Sequence, residues 1–253
     1  MKLVITGGGT AGHANPAIAI AEILKKNCHS VSVDYVGTPQ GIERRLSEEA
    51  GIPYHTIEVL GLSRSLSPKN LRAAYLAIRS PRKVKKLLLD LSPDLVVGTG
   101  GYVSWPVLSA ATRLGIPTAI HESNAIPGLT VRRLATRVDC VLLNFAEAAA
   151  HLPKKAHTVH VGNPLRSGFC TLSRSEARRL LGIPEMAILT VSFGGSLGAQ
   201  ALNDAVLEVF SHYTLKNETA YHIHGCGKRY AAEFSAKLTD RFGRLPERIR
   251  VRE

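Results

Sequence analysis

The chain has 253 residues, 45% of them hydrophobic, and a formal net charge of +12 at pH 7. Its length suits one large domain or two modest ones, and its composition is that of a globular rather than a disordered protein. Four widely spaced cysteines form no Cys-x-x-Cys pair, which argues against a zinc site and favours a reducing compartment. The positive charge favours anionic partners, such as nucleic acid, an acidic lipid surface or a phosphorylated substrate.

Apolar, strand-like runs alternate with helix-like runs over the first 164 residues. The expected strands are Leu3–Thr6, Ser30–Val36, Tyr54–Val59, Asp94–Val97, Pro117–His121, Val138–Asn144 and Thr158–Val161. The expected helices are Ala17–Lys26, Gly41–Ala50, Arg72–Leu89, Trp105–Leu114 and Thr130–Ala135. Asn15 and Pro16 predict the N-cap and first turn of the first helix. No apolar run is long enough to span a bilayer and Met1 leads directly into a strand, so we expect neither a spanning helix nor a signal peptide.

A second cycle of strands and helices follows Asn163-Pro164. Its expected elements are helices at Ser175–Leu181, Ala199–Tyr213 and Tyr230–Leu238, and strands at Ala187–Phe193, Tyr221–His224 and from Arg250 onward. Such alternation predicts an α/β fold, with a parallel sheet covered on both faces in the first half of the chain. We expect two domains, residues 1–164 and 165–253. The second has only 89 residues, where domains usually have about 100–150, and we expect it to be incomplete.

Three glycine-rich turns stand where an apolar strand hands over to a helix. They read GGGTAGH (Gly7 to His13), GTGGY (Gly98 to Tyr102) and GGSLGA (Gly194 to Ala199). Glycine accepts backbone angles that other residues avoid, and it lets a ligand approach the main chain. The N-terminus of the following helix has unpaired N–H groups and a partial positive charge, which favour phosphate. The pattern therefore predicts a ligand that carries phosphate groups.

With these turns placed, the chain resembles the MurG family of bacterial glycosyltransferases. The resemblance rests on five stretches in order: GGGTAGHANPA (7–17), GTGGYVSWP (98–106), GIPTAIHESNAIPGLTVRRLA (115–135), VGNPLR (161–166) and FGGSLGAQALN (193–203). It implies a GT-B fold, in which two Rossmann-like domains face a cleft. The acceptor binds on the N-terminal side and the donor mostly on the C-terminal side.

The resemblance also implies a reaction, a location and partners. N-acetylglucosamine (GlcNAc) moves with inversion from UDP-GlcNAc to lipid I, which is undecaprenyl-pyrophosphoryl-MurNAc-pentapeptide, and lipid II forms for peptidoglycan synthesis. We expect a peripheral protein on the cytoplasmic face of the cell membrane, with cell-wall synthesis proteins as candidate partners. Ala11, Ser123 and Leu197 depart from the family pattern at peripheral positions. The later part of the donor domain is not in this sequence, so the activity of the chain itself stays open.

Two residues are candidates for the catalytic step. His13 ends the first glycine turn, and a histidine that titrates near neutrality suits a general base. It could instead only hydrogen-bond the loop or the acceptor diphosphate. Glu122 follows a strand end, where ligand sites form in α/β folds. It could orient His13, contact acceptor hydroxyls, serve as the base or cap a nearby turn.

The resemblance implies further binding residues by position. Donor contacts are expected from Thr10, Ala11, Gly12, Asn124, Arg166 and Ser196. Contacts with the acceptor or its phosphates are expected from Gly8, Gly9, Gly100, Gly101 and Tyr102, with Arg64 as a further candidate. Each loop could instead be a tight turn without a ligand, and Arg166 a surface ion pair. No Asp-x-Asp occurs and the histidines lack ligand spacing, so we expect neither a metal nor a cofactor.

A basic run lies between Lys69 and Lys86. It contains seven basic residues and no acid: Lys69, Arg72, Arg79, Arg82, Lys83, Lys85 and Lys86. One interpretation is a solvated outer face of an amphipathic helix. The other is a patch that rests on an anionic membrane surface. Nucleic acid is not an expected partner, because no zinc finger, RRM signature or aromatic platform is found.

Three other functions compete with this interpretation. Gly7-x-Gly9-x-x-Gly12 with Asp34 about 20 residues on fits the dinucleotide fingerprint of an NAD-dependent oxidoreductase. However, Asp34 falls inside a predicted strand, and the helix is expected to start only at Pro16. A second alternative is another GT-B enzyme, such as a UDP-GlcNAc epimerase or a lipid glycosyltransferase. The third is a basic module that binds membrane or nucleic acid without catalysis.

Overall fold

The computed structural model describes residues 1–28, 30–59, 83–169, 171–195 and 197–253. The chain forms two compact units, Met1–Phe169 and Cys170–Glu253, here called unit 1 and unit 2. Each unit has its own parallel sheet and its own helices. The predicted alternation of strands and helices is therefore confirmed in both parts of the chain.

Unit 1 contains a seven-stranded parallel sheet with the order β3-β2-β1-β4-β5-β6-β7. The strands are β1 (Lys2–Thr6), β2 (Ser32–Gly37), β3 (Tyr54–Thr56), β4 (Leu95–Gly98), β5 (Thr118–Glu122), β6 (Cys140–Leu143) and β7 (Thr158–His160). The helices are α1 (Ala11–Asn27), α2 (Ile42–Glu49), α3 (83–91), α4 (Gly101–Arg113) and α5 (Leu129–Leu134). A 3-10 turn, Ala146–His151, follows β6.

The sheet of unit 1 is buried on both faces because successive strand residues point to opposite sides. Leu3 and Ile5 of β1 pack with residues of α1 and α2, while Val4 packs with residues of α3, α4 and α5. All three strand side chains are fully buried. The continuous apolar run at the start of the sequence thus becomes the centre of a three-layer unit.

Two helices of unit 1 begin earlier than the sequence predicted. The first starts at Ala11 rather than Ala17, and α4 starts at Gly101 rather than Trp105. Pro16, which suggested the first turn of the first helix, and Pro106 of α4 are each the sixth residue of their helix. A proline there removes one backbone hydrogen bond, yet both rings are buried against the core. Each helix therefore starts directly at its glycine turn.

Unit 2 contains a three-stranded parallel sheet with the order β10-β9-β8. Its elements are α6 (Arg174–Leu181), β8 (Ile188–Phe193), α7 (Gln200–Val209) with a π-turn at Phe210–Thr214, β9 (Ala220–Gly225), α8 (Ala231–Phe242) and β10 (Ile249–Arg252). The core lies between α7, α8 and one face of the sheet. On β8, Val191 and Phe193 are 57% and 70% exposed.

Several sequence-based expectations fall outside the described residues. They include Arg64, the basic residues Lys69 to Arg82, and the first part of the helix expected at Arg72–Leu89. Ser196 of the third glycine turn also lies there. Among the described helices, none combines the length and the apolar composition needed to cross a membrane.

Candidate functional site

The candidate site of unit 1 lies where the order of the parallel strands reverses. From β1 the chain moves outward through β2 and β3, and from β4 it moves outward in the other direction through β7. Ligands of α/β folds bind beyond the carboxyl ends of the strands at such a point. The first glycine turn follows β1 and the second follows β4, and these strands are neighbours.

The first two glycine turns interlock. Gly101 has a φ of +76°, and a Cβ atom there would collide with the carbonyl oxygen of Gly8. Gly9 has a φ of +86°, and a Cβ atom there would lie 2.7 Å from the ring of Tyr102. Side chains at these positions would push the turns apart. The structure thus brings together the residues that the resemblance assigned to phosphate and acceptor binding.

His13 is the third residue of α1 and lies against the second turn. Its Nδ1 is 3.0 Å from the carbonyl oxygen of Thr99, whose hydroxyl donates a 2.6 Å hydrogen bond to the His13 carbonyl. Cβ atoms on Gly100 and Gly101 would lie 2.9 and 3.2 Å from the imidazole. Because a carbonyl oxygen only accepts, Nδ1 carries the proton. In the neutral ring, the free lone pair therefore lies on Nε2.

Glu122 is buried at the end of β5, and both of its carboxylate oxygens bind the following loop. The Oε1 atom accepts hydrogen bonds from the backbone N and the Nδ2 of Asn124, at 2.9 and 2.7 Å. The Oε2 atom accepts one from the backbone N of Gly128, at 2.8 Å. These contacts favour the turn-capping role among the roles considered from sequence. The His13 ring is hydrogen-bonded to Thr99. Orientation of His13 by Glu122 stays a prediction.

The segment around Glu122 is tied to the ends of two more strands. His121 is buried, and its Nε2 donates to the carbonyl of Gly162 at 3.0 Å. Burial lowers the pKa of this histidine, which suits a neutral structural role. Ser123 contacts Asn163 at 3.4 Å, and its carbonyl accepts a 3.0 Å hydrogen bond from Asn144. Two stretches that carry the family resemblance, 115–135 and 161–166, therefore meet at this edge of the sheet.

The candidate donor residues are placed less closely together. Thr10, Ala11 and Gly12 form the N-cap and first turn of α1, where backbone N–H groups lack a helical acceptor. Asn124 is exposed. Arg166 binds Glu22 of α1 through Nε and Nη2, both at 3.2 Å, which favours the surface ion pair. Its contact with a donor stays a prediction.

Three functional candidates of unit 1 were missed from sequence: Thr38, Glu43 and Thr99. Thr99 sits inside the second glycine turn and could have been noticed as the hydroxyl between two glycines. Glu43 is fully buried on α2, and its signal was an acidic residue two positions after Gly41 in the first turn of a helix. No group of three or more His, Cys, Asp or Glu side chains in the described parts of the chain could hold a metal ion.

The structure also bears on the dinucleotide alternative. Asp34 lies within β2, as predicted, and its carboxylate is 2.8 Å from Nε2 of His55. That position and partner argue against binding of a ribose. The second sequence argument against this alternative was a helix that starts only at Pro16. Because α1 starts at Ala11, that argument no longer holds.

In unit 2 the third glycine turn packs against the turn that follows β9. A Cβ atom on Gly198, which has a φ of +77°, would collide with the carbonyl oxygen of Cys226. That carbonyl accepts a 3.1 Å hydrogen bond from Nδ2 of Asn203 on α7. The turn therefore has a fixed neighbour on the adjacent strand, as the first turn has in unit 1.

A cluster of polar side chains, formed by Ser192, His222, His224 and Asn203, lies next to this turn. His222 Nε2 and His224 Nδ1 each lie 2.8 Å from the hydroxyl oxygen of Ser192, and His224 Nδ1 is also 3.2 Å from the Ser192 carbonyl oxygen. His224 Nε2 donates to Asn203 Oδ1 at 3.0 Å. Burial lowers the pKa of both histidines, and the nearby His224 lowers that of His222 further.

Comparison with known proteins identifies similar sequences. Residues 3–143 match the glycosyltransferase family 28 N-terminal domain. A relative from Desulforudis audaxviator is 45% identical over 83% of this chain, and one from Exiguobacterium sibiricum is 38% identical over 100% of it. Both are named UDP-N-acetylglucosamine–N-acetylmuramyl-(pentapeptide) pyrophosphoryl-undecaprenol N-acetylglucosamine transferase. The chain spans 56% of the length of the first relative and 68% of the second.

Solved structures confirm the predicted GT-B fold class. MurG from Acinetobacter baumannii is 28% identical, with a TM-score of 0.65 over 99% of this chain and 65% of that chain. A UDP-GlcNAc 2-epimerase from Neisseria meningitidis has a TM-score of 0.63 over 100% of this chain and 72% of its own, at 14% identity. The latter likeness concerns the fold alone. The sequence relatives, rather than the fold, distinguish the transferase from the epimerase.

Proposed function

This chain belongs to the MurG family of glycosyltransferases, and from that premise we propose that it is an inverting transferase of N-acetylglucosamine. The donor is UDP-GlcNAc and the acceptor is lipid I, so that the product is lipid II for peptidoglycan synthesis. The names of the curated relatives support this pair of substrates. The chain spans only 56% of the length of the Desulforudis audaxviator relative, and its own activity is part of the proposal.

The observation that carries the proposal is the contact between His13 and the second glycine turn. With the Nδ1–H donated to Thr99, the Nε2 atom is the one that accepts a proton from the attacking acceptor hydroxyl. The hydroxyl oxygen bonds to the anomeric carbon of the donor sugar as UDP leaves. Because Thr99 also binds the His13 main chain, the ring is held in one orientation before substrate arrives.

The glycine turns supply the N–H groups that bind the negatively charged phosphates. In unit 1 we assign the acceptor diphosphate to Gly8, Gly9, Gly100, Gly101 and Tyr102, where helices α1 and α4 begin. In unit 2 we assign the donor diphosphate to the turn with Ser196. N–H groups at a helix start bind phosphate and offset the charge of the leaving UDP. Residues 1–164 are in this scheme the acceptor domain and residues 165–253 part of the donor domain.

A transfer assay with the purified chain tests the proposal. Radiolabelled UDP-GlcNAc and lipid I are mixed with the wild-type chain, and lipid II is separated and counted. His13→Ala should lower turnover by about 10²–10⁴-fold, because general bases contribute that much, and should leave UDP-GlcNAc affinity nearly unchanged. A wild-type chain that forms no lipid II would exclude the activity. Wild-type turnover by His13→Ala would remove His13 as the base.

We also place the chain on the cytoplasmic face of the cell membrane, bound to anionic lipid through its basic surface. On α3, Val84 and Leu88 are buried while Lys83, Lys85 and Lys86 are exposed. Lys83 is only loosely paired, with its Nζ 3.5 Å from a carboxylate oxygen of Glu58. A polybasic surface gains about 1 kcal/mol per lysine near anionic lipid.

Vesicle sedimentation tests this location. Changing Lys83, Lys85 and Lys86 to glutamate should weaken binding to vesicles with anionic lipid. The matched control changes the exposed lysines Lys25, Lys26 and Lys154 to glutamate, which gives the same net charge at other places. Equal binding by the two triple variants would contradict a specific role of α3.

A further inference from the structure

A buried carboxylate lies directly behind the first glycine turn of unit 1. Glu43 is fully buried, and Cβ atoms on Gly8, Gly37 or Gly41 would overlap its side chain. Three glycines from three different segments therefore leave the space that this one carboxylate fills. No lysine, arginine or histidine among the described residues forms an ion pair with it, although a buried charge needs compensation.

Hydrogen bonds from the main chain and from one hydroxyl provide that compensation. The Oε1 atom of Glu43 accepts from the hydroxyl and the backbone N of Thr38, at 2.6 and 3.2 Å. The Oε2 atom accepts from the backbone N of Gly9 at 3.4 Å. Glu43 also stands in the first turn of α2, where the helix dipole favours a negative charge. The carboxylate thus connects α2, the end of β2 and the first glycine turn.

Tyrosines complete the cluster and connect it to the second glycine turn. The ring of Tyr102 lies against Gly9, where an added Cβ atom would meet it at 2.7 Å. The Tyr54 hydroxyl donates to the carbonyl of Thr38 at 2.7 Å. Burial raises the pKa of Tyr102 and Tyr54, and the negative charge of Glu43 raises it further. Both hydroxyls therefore stay protonated and remain donors near neutral pH.

We propose that Glu43 is a positioning residue for the diphosphate-binding turns of unit 1, an inference that rests on the proposed function. It holds Gly9 directly, and Gly9 lies against the ring of Tyr102, so that one buried carboxylate sets the spacing of both turns.

The direction in which one substitution of Glu43 changes pyrophosphate affinity distinguishes a positioning role from a purely electrostatic one. Removal of a negative charge near an anion site should by itself strengthen anion binding. Glu43→Gln, however, turns an amide NH₂ toward either Thr38 or Gly9, where only an acceptor fits. If Glu43 positions the turns, pyrophosphate binding should therefore weaken, by about tenfold for one disrupted buried hydrogen bond.

The experiment follows inorganic pyrophosphate by the amide NMR shifts of Gly9, Gly100 and Gly101, which report on unit 1 alone. The control is Glu49→Gln, which removes an exposed negative charge from the same helix. UDP-GlcNAc affinity is measured in parallel and should not change in either variant. Glu43→Gln with unchanged or tighter pyrophosphate binding would overturn the inference.

A second variant keeps the test decisive if Glu43→Gln fails to fold. Thr38→Val keeps the side-chain shape and removes the hydroxyl that binds Oε1 of Glu43 at 2.6 Å. It should weaken pyrophosphate binding severalfold, because Glu43 loses its shortest hydrogen bond and holds Gly9 less firmly. Unchanged pyrophosphate binding in Thr38→Val would overturn the inference. A wild-type chain that binds no pyrophosphate would overturn the proposed diphosphate site itself.

Discussion

The glycine turns of unit 1 and unit 2 share one backbone arrangement but rest on different side chains. A Cβ atom on Gly101 would collide with the carbonyl of Gly8, and one on Gly198 would collide with the carbonyl of Cys226. The two glycines have φ angles of +76° and +77°. In both units, the turn after one strand packs against the turn after its neighbour in the sheet. Two different sequences therefore produce the same close approach of main chains.

The support beneath these turns differs in charge. Unit 1 uses the buried carboxylate of Glu43, whereas unit 2 uses the neutral cluster of Ser192, His222, His224 and Asn203. Burial lowers the pKa of both histidines in unit 2, and they gain protons as the pH falls. The comparison teaches that similar turns can differ in how they respond to pH.

The largest expected effect comes from placing a side chain at the shared close approach. Gly101→Ala and Gly198→Ala should each lower the free energy of unfolding by about 3 kcal/mol or more, since a positive φ and a collision with main chain act together. Urea unfolding followed by circular dichroism measures this loss.

The chain offers matched controls for this prediction. Gly115 and Gly182 also have positive φ angles, +68° and +62°, but a Cβ atom at Gly115 would meet nothing within 4 Å, and one at Gly182 only the end of the Arg250 side chain at 4.0 Å. Alanine there should cost only about 1 kcal/mol. If Gly198→Ala costs no more than Gly182→Ala, the two units do not share the close approach.

A smaller effect should appear when the pH is lowered. The pKa values of His222 and His224 are depressed in the folded chain, so the unfolded chain binds protons first as the pH falls. Their contribution to stability is complete above the ordinary histidine pKa of 6.5 and is lost progressively below it. Urea unfolding of unit 2 at pH 7.5 and at pH 5.5, both chosen about one unit from that value, measures the loss.

Two variants isolate the cause of this pH dependence. His222→Gln keeps a hydrogen-bonding group beside Ser192 but cannot gain a charge, so it should flatten the dependence of unit 2. His212 is exposed on the same unit and pairs with Glu208, and His212→Gln should leave the dependence nearly unchanged. A wild-type slope in His222→Gln would show that this buried histidine is not its source.

The smallest effect concerns Arg166, which the sequence assigned to the donor and the structure pairs with Glu22. Partial burial opposes ionisation of Glu22, but hydrogen bonds from Ser167 and Arg166 outweigh it and lower its pKa. A partly exposed ion pair contributes about 0.2–1 kcal/mol, so Arg166→Ala should change stability by no more than that. Titration with UDP-GlcNAc then decides its role. A large loss of donor affinity would favour the donor contact over the ion pair.

The sequence alone was sufficient for the parallel α/β architecture of the two units to be expected and for the glycine turns to be located. Strands such as Leu3–Thr6 were visible because a strand buried on both faces is a continuous apolar run. The start of α1 was predicted wrongly because proline is typical of a first turn, and only the packed structure shows the ring of Pro16 buried in the second turn. Burial of the proline ring therefore overrides the local preference of proline for the first turn of a helix.

What the sequence by itself determined was the class of chemistry: glycine turns before helices favour phosphate whatever surrounds them. The tertiary structure decided which side chains serve those turns. Thr99 holds His13, Glu43 holds Gly9, and Glu122 caps its own loop, although Thr99 and Glu43 lie 86 and 34 residues from their partners. Long-range partners leave no local periodicity in a sequence, because they are chosen by the packing of strands and helices that are distant along the chain.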